Sequence, residues 1–542
     1  MTTPDVRVRE LLAEAGRHDT CVADLLCDRH PADSVAFTIV EPDLSSYDLT
    51  YGELRDRSER FAAALADLGV EPGDRVATLM GKSADLVAAI LGIWRRGAVH
   101  VPLFTAFAPS AIDLRLTASA AKVVVVDAAQ RPKLDELTGS WRVVTAGGPG
   151  RDGDLNFATL LTTYQPGAAA VAVGGDAPLI RLFTSGTTGE PKGVVIPVRA
   201  IAAFRAYLEF GFDLRADDVL WNAADPGWAY GLYYAVTGPL AAGHRGILLH
   251  APFSAELTWK VLSKFRVTNF AAAPTVYRAL RNDPTPVPQD LVLRCCSSAG
   301  EPLNPDVVAW AERTLGVPVR DHYGQTELGM AIINGHHPAI RRSLKPGSMG
   351  HPMPGWWAEV LDPERDEIAP PGTRGRVAID LTRSPLMWFS EYADAPEKTK
   401  ERFSPDGRWY LTGDAGLKDE EGYFFFSSRD DDVIIMAGYR IGPFEVESVL
   451  MEHPAVAEAA VVGVPDELRG EVVEAFVVLQ PGVTGDELLV TELQQHVKRR
   501  YAAHAYPRAV HFVPELPKTP SGKIQRFVLR QRRSEELAAP TA

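Results

Sequence analysis

"DRVATLMGKSADLVAAILGIWRRGAVHVPL", residues 74–103, reads as a strand (DRVATLM), a helix (SADLVAAILGIWRRG) and a second strand (AVHVPL). A helix between two short strands is a βαβ unit, and its crossover returns the second strand parallel to the first. The segment just before it, "LTYGELRDRSERFAAALADLGV", sets Thr50 and Glu53 in capping-box relation. It places Leu54, Phe61, Leu65 and Leu68 on one helix face and closes near Gly69.

Outward from this unit the same rhythm returns in "DVLWNAAD", "GLYYAVTGPLAAG" and "RGILLH". Short strands followed by polar loops recur at "LRCCSSAGEPL" and "VPVRDHYGQTE", and ligands of open α/β sheets sit beyond the carboxyl ends of strands. "AGGPGRDGD", near 146–154, reads as a surface loop, and there is no tandem repeat. After "EEGYFFFSSRDDDVIIMAGYRIGPFEVESVL" the texture changes. "VAEAAVVGV", "EAFVVLQ" and "RAVHFVPEL" read as strands and "DELLVTELQQHVKRR" as a helix. The fold class is therefore α/β: a large N-terminal domain of βαβ-built sheets with helices, residues 1–430, and a small α+β C-terminal domain, residues 431–542. The polar "SSRDDD" forms the hinge.

A chain of 542 residues with 46% hydrophobic and 23% charged residues is that of an ordinary soluble globular protein. Its net charge of -14 argues against nucleic acid or anionic lipid as the main partner, and leaves room for a local basic patch. Cys21, Cys27, Cys295 and Cys296 form neither a disulfide framework nor a metal-ligand spacing, and the adjacent pair reads as buried strand. The N-terminus lacks an apolar signal region and no segment approaches the roughly 18 apolar residues of a membrane helix. No membrane insertion and a cytoplasmic location are the expectation.

"LFTSGTTGEPKGVV", residues 182–195, is the most chemically marked run. It fails as a Walker loop, because Lys192 follows Pro191 and Gly193 stands where a magnesium-binding hydroxyl belongs. Its chemistry still suits polyphosphate. Gly186 and Gly189 let backbone N–H groups turn toward an anion, Thr184, Ser185, Thr187 and Thr188 add hydroxyls, and Lys192 adds a point charge.

This run resembles the phosphate loop of the adenylate-forming superfamily, which includes acyl-CoA synthetases, luciferases and nonribosomal adenylation domains. "SSAGEPL", "DHYGQTE", "YLTGD", "RDDDVIIMAGYRIGPFEVE" and "PKTPSGKIQR" follow in that family's order. The resemblance implies that Tyr323 stacks on adenine between Gly300, Glu301 and Pro302, with Asp321, His322, Gly324 and Gln325 beside it. It implies a phosphate contact for Thr326, Mg²⁺ at Glu327, the ribose at Asp414, a second nucleotide contact at Arg429 and the hinge at Asp431. Lys523 resembles the catalytic lysine of the mobile domain, with Thr326 and Glu327 completing the catalytic group.

The implied reaction joins a carboxylate to the α-phosphate of ATP, then passes the acyl group to the CoA thiol. Catalysis is then mainly positioning and charge stabilisation. Gly438, Tyr439 and Arg440 resemble the segment that lines the pantetheine tunnel. Trp228, Ala229, Tyr230, Ala299, Gly324, Gly329 and Met330 are the acyl-pocket candidates. Acetyl-CoA synthetases carry tryptophan where this chain has Gly324, so the glycine implies a deeper channel and a monocarboxylic acid larger than propionate, medium-chain or aryl. The partners are the acid, ATP and CoA, together with enzymes that acylate and deacylate Lys523; the oligomeric state is left unassigned. A carrier-protein phosphopantetheine thiol is the alternative acceptor.

Overall fold

Arg75–Leu79 and Val99–Pro102 pair in parallel from Arg75/Val99 to Thr78/Pro102, with helix Ala84–Arg95 between them. Ser83 caps that helix by accepting from the Leu86 amide. The preceding helix, Tyr51–Asp67, starts at the capping box: Thr50 Oγ1 accepts from the Glu53 amide at 3.2 Å and Glu53 Oε2 from the Thr50 amide at 2.9 Å. Leu54, Phe61 and Leu65 are fully buried on its inner face, while Leu68 is half-buried at its end, where Gly69 takes φ +77°.

The computed structural model describes residues 3–184, 192–429, 432–436, 439–466, 469–502, 504–519 and 523–538. The candidates Ser185, Gly186, Thr187, Thr188, Gly189, Asp431 and Gly438 lie outside the described residues. Among those described, the βαβ unit belongs to an eight-stranded sheet. Its order runs from Tyr392–Ala393 through Lys192–Pro197, Pro178–Thr184, Val99–Pro102, Arg75–Leu79, Val123–Asp127 and Arg142–Ala146 to Leu155–Asn156.

A 13-stranded sheet lies beside it. Its parallel part includes Leu220–Asn222, Gly246–Leu249, Asn269–Ala272, Cys295–Ala299 and Val319–Gln325. From Val319–Gln325 onward the sheet continues antiparallel through Gly329–Ile333, Ser348–Pro352, Phe424–Arg429 and Trp409–Lys418. One hydrophobic core spans helices and strands of both sheets.

A separate core forms near the C-terminus, around Leu450, Val461, Val473, Leu493 and Val497. Val456–Asp466 and Gly470–Leu479 make its long antiparallel pair, and Ala509–Phe512 joins in parallel. Helices Pro443–Met451, Glu487–Arg500 and Arg526–Ala538 complete this α+β unit. Cys295 and Cys296 are buried strand residues and all four cysteines are free. Among the described residues no helix is long and apolar enough to cross a membrane.

Thr50→Ala removes the acceptor for the Glu53 amide and leaves the rest of the helix intact. We expect a loss of about 0.5–2 kcal/mol, read as a lower urea midpoint for the unfolding of the N-terminal sheets.

Candidate functional site

Parallel pairing of Cys295–Ala299 with Val319–Gln325 carries the chain out of both strands at one edge. There Gly300 takes φ +99°, a left-handed conformation that suits glycine, and Glu301 and Pro302 follow half-buried. Glu301 is held by Arg278 at 2.8 Å. Tyr323, in the neighbouring strand, donates its hydroxyl to Asp414 Oδ2 at 2.6 Å. Gln325 Nε2 donates to the same oxygen at 2.6 Å and receives the Tyr410 hydroxyl on its own Oε1 at 3.1 Å. Asp414 thus keeps one oxygen, Oδ1, open rather than two. Arg429 pairs with Asp414 across the antiparallel strands and is half-buried. Burial pushes the Asp321 carboxyl well above the usual carboxylate range, and its Oδ1 has no hydrogen-bond partner.

Lys192 opens a strand that pairs antiparallel with Pro178–Thr184, with Thr184 opposite Lys192. The marked loop is therefore a connection between two antiparallel strands, whereas a Walker loop leads into a helix. Lys192 lies over the Tyr392 ring at 5.2 Å. Burial lowers its pKa, and the charges of Arg402 and Lys398 lower it further. Tyr392 donates its hydroxyl to Glu327 Oε1 at 2.7 Å and receives Arg402 Nε at 3.0 Å. Glu327 is 7% exposed. Thr326 is half-buried, and its carbonyl accepts the Tyr233 hydroxyl at 3.0 Å.

Lys523 comes from the C-terminal unit. Its amide donates to Thr519 Oγ1 at 3.0 Å, and its carbonyl accepts the Thr519 amide at 2.7 Å, which fixes the backbone that carries the side chain. The residue keeps solvent contact, yet the protein around its ammonium is dense enough that burial lowers its pKa. Glu301, Asp414 and Glu327 act in the opposite sense and Arg429 adds to the lowering. The structure therefore brings Lys523 into the electrostatic reach of the edge built by the other unit. Ion pairing of Arg374 with Glu445 at 2.8 Å, and donation from Arg374 to the Tyr501 hydroxyl at 2.6 Å, connect the two units there. Tyr439 and Arg440 belong to a strand paired antiparallel with Ile434–Met436.

The acyl-pocket candidates divide. Trp228 packs against Phe104 at 5.4 Å and Phe107 at 5.5 Å, in the core beneath the smaller sheet. Tyr230 instead meets Tyr207 and Tyr234, with Ala229 half-buried beside it. Tyr234 receives the Met330 amide at 2.9 Å, which draws Gly329 and Met330 to the same wall, and Ala299 is buried in the same core.

The polarity of this wall can be derived. His322 is buried, and burial lowers its pKa to about 3, so the ring is neutral. Its Nε2 faces the Asn334 carbonyl at 3.2 Å, which can only accept, so the proton sits on Nε2. His322 Nδ1 then accepts from the Tyr207 hydroxyl at 2.6 Å. With that proton committed, Tyr230 must donate to Tyr207 across 3.2 Å, and the Tyr230 oxygen presents lone pairs to its surroundings.

Gly324 corrects the expectation of a deeper channel. A Cβ at 324 would lie 2.0 Å from the Gly329 carbonyl oxygen and 2.8 Å from the Met330 Cα. The missing side chain makes room for the neighbouring strand, at the irregular step between Tyr323 and Gly324, and not for substrate. Sequence reasoning also missed Tyr392, Arg402, Tyr410, Tyr207 and Tyr234. Tyr392 and Arg402 lie in "EYADAPEKTKERF", whose basic run just ahead of "YLTGD" was the available signal.

Residues 26–383 match the AMP-binding enzyme family, and residues 445–523 match the AMP-binding enzyme C-terminal domain. The chain is 38% identical over 497 residues to an acetyl-coenzyme A synthetase of Bacillus subtilis, covering 89% of this chain and 84% of that one. A crystal structure of a Brucella canis acyl-CoA synthetase shares 44% identity and a TM-score of 0.74, with 98% of each chain covered. A benzoate CoA ligase from Burkholderia xenovorans LB400 shares 32% identity and a TM-score of 0.83, over 94% of this chain and 100% of that one.

Gly324→Ala forces a methyl group against backbone that has no rotamer to relax. The expected outcome is a loss of about 1–3 kcal/mol in stability, measured by denaturant unfolding, with loss of adenylation even where the variant folds.

Proposed function

The chain belongs to the AMP-binding enzymes, the adenylate-forming acyl-CoA synthetases, and from that premise we propose that its acid is a monocarboxylate larger than propionate, medium-chain or aryl. It is an acid-thiol ligase that uses ATP, Mg²⁺ and CoA. The observation that carries the site assignment is the convergence on Lys523 of Glu301, Glu327, Asp414 and Arg429, from four separate stretches of the other unit.

In this reading Lys523 lies between the acid's carboxylate and the α-phosphate, where its charge offsets the repulsion of two anions as the oxygen attacks phosphorus. Pyrophosphate leaves, and the acyl-adenylate carries AMP as a good leaving group for the thiol. Lys192 and Arg402 face the departing phosphates. Glu327 suits a Mg²⁺ ligand: Tyr392 fixes Oε1, and Oε2 has no donor among the described residues. No cluster of three His, Cys, Asp or Glu forms a self-contained metal site among them, which fits a cation held largely by substrate phosphates. Mg²⁺ would supply charge neutralisation on those phosphates. The orphaned Asp321 Oδ1 suits the edge of the base, and Asp414 Oδ1 suits one ribose hydroxyl.

Support for the larger acid is the aromatic wall of Tyr230 and Tyr234. Pyrophosphate release measured across C2–C12 and aryl acids, with CoA, with a carrier-protein thiol and with neither, tests the substrate class and the acceptor together. A maximum at acetate rejects the larger acid.

Lys523→Ala should lower adenylation about 10²–10³-fold and spare thioester formation from supplied acyl-adenylate. Equal loss of both half-reactions rejects the role. The charged form of Lys523 does the work and its pKa is lowered, so kcat/KM for ATP should fall as pH rises, with a limb below the ordinary lysine value of about 10.4. Lys523→Arg, always charged, should retain residual rate without that limb.

A further inference from the structure

Opposite the candidate active site, at the amino ends of Cys295–Ala299 and Val319–Gln325, lies a cavity of about 140 Å³. It is roughly ten times the ~10–15 Å³ that one water needs. Asp213, Arg215, Arg294, Arg320, His336 and Arg341 line it.

Its charges are unbalanced. Arg294 is satisfied: Nη1 donates to Asp213 Oδ2 at 2.8 Å, Nε donates to Asp218 Oδ1 at 3.1 Å, and Nη2 also pairs with Asp218. Arg215 donates to Asp213 at 2.7 Å. Two carboxylates thus serve two guanidiniums. Arg320 is 4% exposed and pairs with no carboxylate among the described residues, Asp213 and Asp218 being taken by Arg294. Its Nη1 alone reaches backbone, the carbonyls of Asn334, Gly335 and Arg342 at 3.5, 3.3 and 3.4 Å. Its Nε and Nη2 take no hydrogen-bond partner among the described residues and are not fully buried, so they open onto accessible space. Arg341 is exposed, makes no ion pair among them, and faces Arg320 as a like charge.

A buried guanidinium is ordinarily paired, because desolvating a charge without a partner is costly. Burial and the Arg341 charge together lower the Arg320 pKa to about 10. Two unmatched positive charges around a space larger than a few waters, in a chain of net charge -14, fit one kind of occupant. We infer that this cavity binds a phosphate group as a dianion, held by the free Nε and Nη2 of Arg320 and by Arg341, at a site separate from the nucleotide edge. Planar guanidinium forks match tetrahedral oxyanions in two-point contacts. Inorganic phosphate and the pyrophosphate that the reaction releases share that chemistry.

The site lies on the strand that carries Tyr323. Arg320 and Tyr323 are three positions apart, about 10 Å at the usual strand rise. Between them His322 runs the hydrogen-bonded chain to Tyr207 and Tyr230, and its ring lies 6.1 Å from that of His336 on the cavity wall.

The test is calorimetric titration of the full chain in chloride buffer, with inorganic phosphate in one arm and pyrophosphate in the other. The nucleotide edge is first filled by an acyl-sulfamoyl adenosine, which carries no phosphate. One saturable phosphate site per chain is expected; because pyrophosphate can also occupy the place facing Lys192 and Arg402, saturation in that arm counts for the cavity only where Arg341→Ala weakens it. Arg320→Met should weaken binding tenfold or more. Arg341→Ala, an exposed change that keeps the fold, should weaken it several-fold and leave turnover with saturating substrates unchanged. Where Arg320→Met does not fold, Arg341→Ala decides. No heat in either arm overturns the site, as does affinity unchanged in Arg341→Ala.

Discussion

Everything that gathers at the candidate site depends on the in-register parallel pairing of Cys295–Ala299 with Val319–Gln325. In a parallel pair both strands end at the same edge, so "GEP" and "YGQTE" emerge side by side. The same register sends Arg294 and Arg320 to the opposite edge. One constraint on strand direction therefore explains both a polar, acidic rim and a basic cavity. A slip by one residue would turn His322 out of the core and break its chain to Tyr207 and Tyr230.

Beyond Val319–Gln325 the sheet turns antiparallel, and that change of direction does a second job. It returns Asp414 to the Tyr323 hydroxyl across 91 residues of sequence, and Gln325 to the same carboxylate. The knot joins the candidate base wall to the candidate sugar acceptor, so neither can shift without the other. Gly324 is part of the same device, because strands this close leave no space for a Cβ.

Local features were legible in the sequence. The capping box at Thr50 and Glu53, the buried face of Leu54, Phe61 and Leu65, and the βαβ unit at 74–103 are set by residues within a few turns of one another. Motif order identified the family, because each motif carries its own chemistry in a short string. What escaped was set by distant partners. Gly324 is the exception: it read as an empty place in a pocket, although the backbone that fills it, at Gly329 and Met330, lies only five or six residues on. Tyr392 and Arg402 gain meaning only from Glu327, in a turn, and Lys192, on another strand. The imbalance around Arg320 is invisible until Asp213 and Asp218 are seen to be taken by Arg215 and Arg294.

The placement of Lys523 is a matter of leverage more than of affinity. Three residues on, Arg526 pairs with Glu447 at 2.7 Å and with Asp432 at 3.5 Å, and Arg530 holds Asp432 at 2.6 Å. The segment carrying the lysine is thereby tied to the residue that follows the "RDD" run and to the first helix of its own unit. Across to the other unit run Arg374 with Glu445 and Tyr501, Ser427 with Glu445, Asn304 with Ser448, and the Phe426 ring against Phe444. Arg374 and Glu445 keep partial access to water, where ion pairs contribute little net free energy, while Ser427 is buried. Under the proposed function, the ties within the unit would let it carry Lys523 as one body.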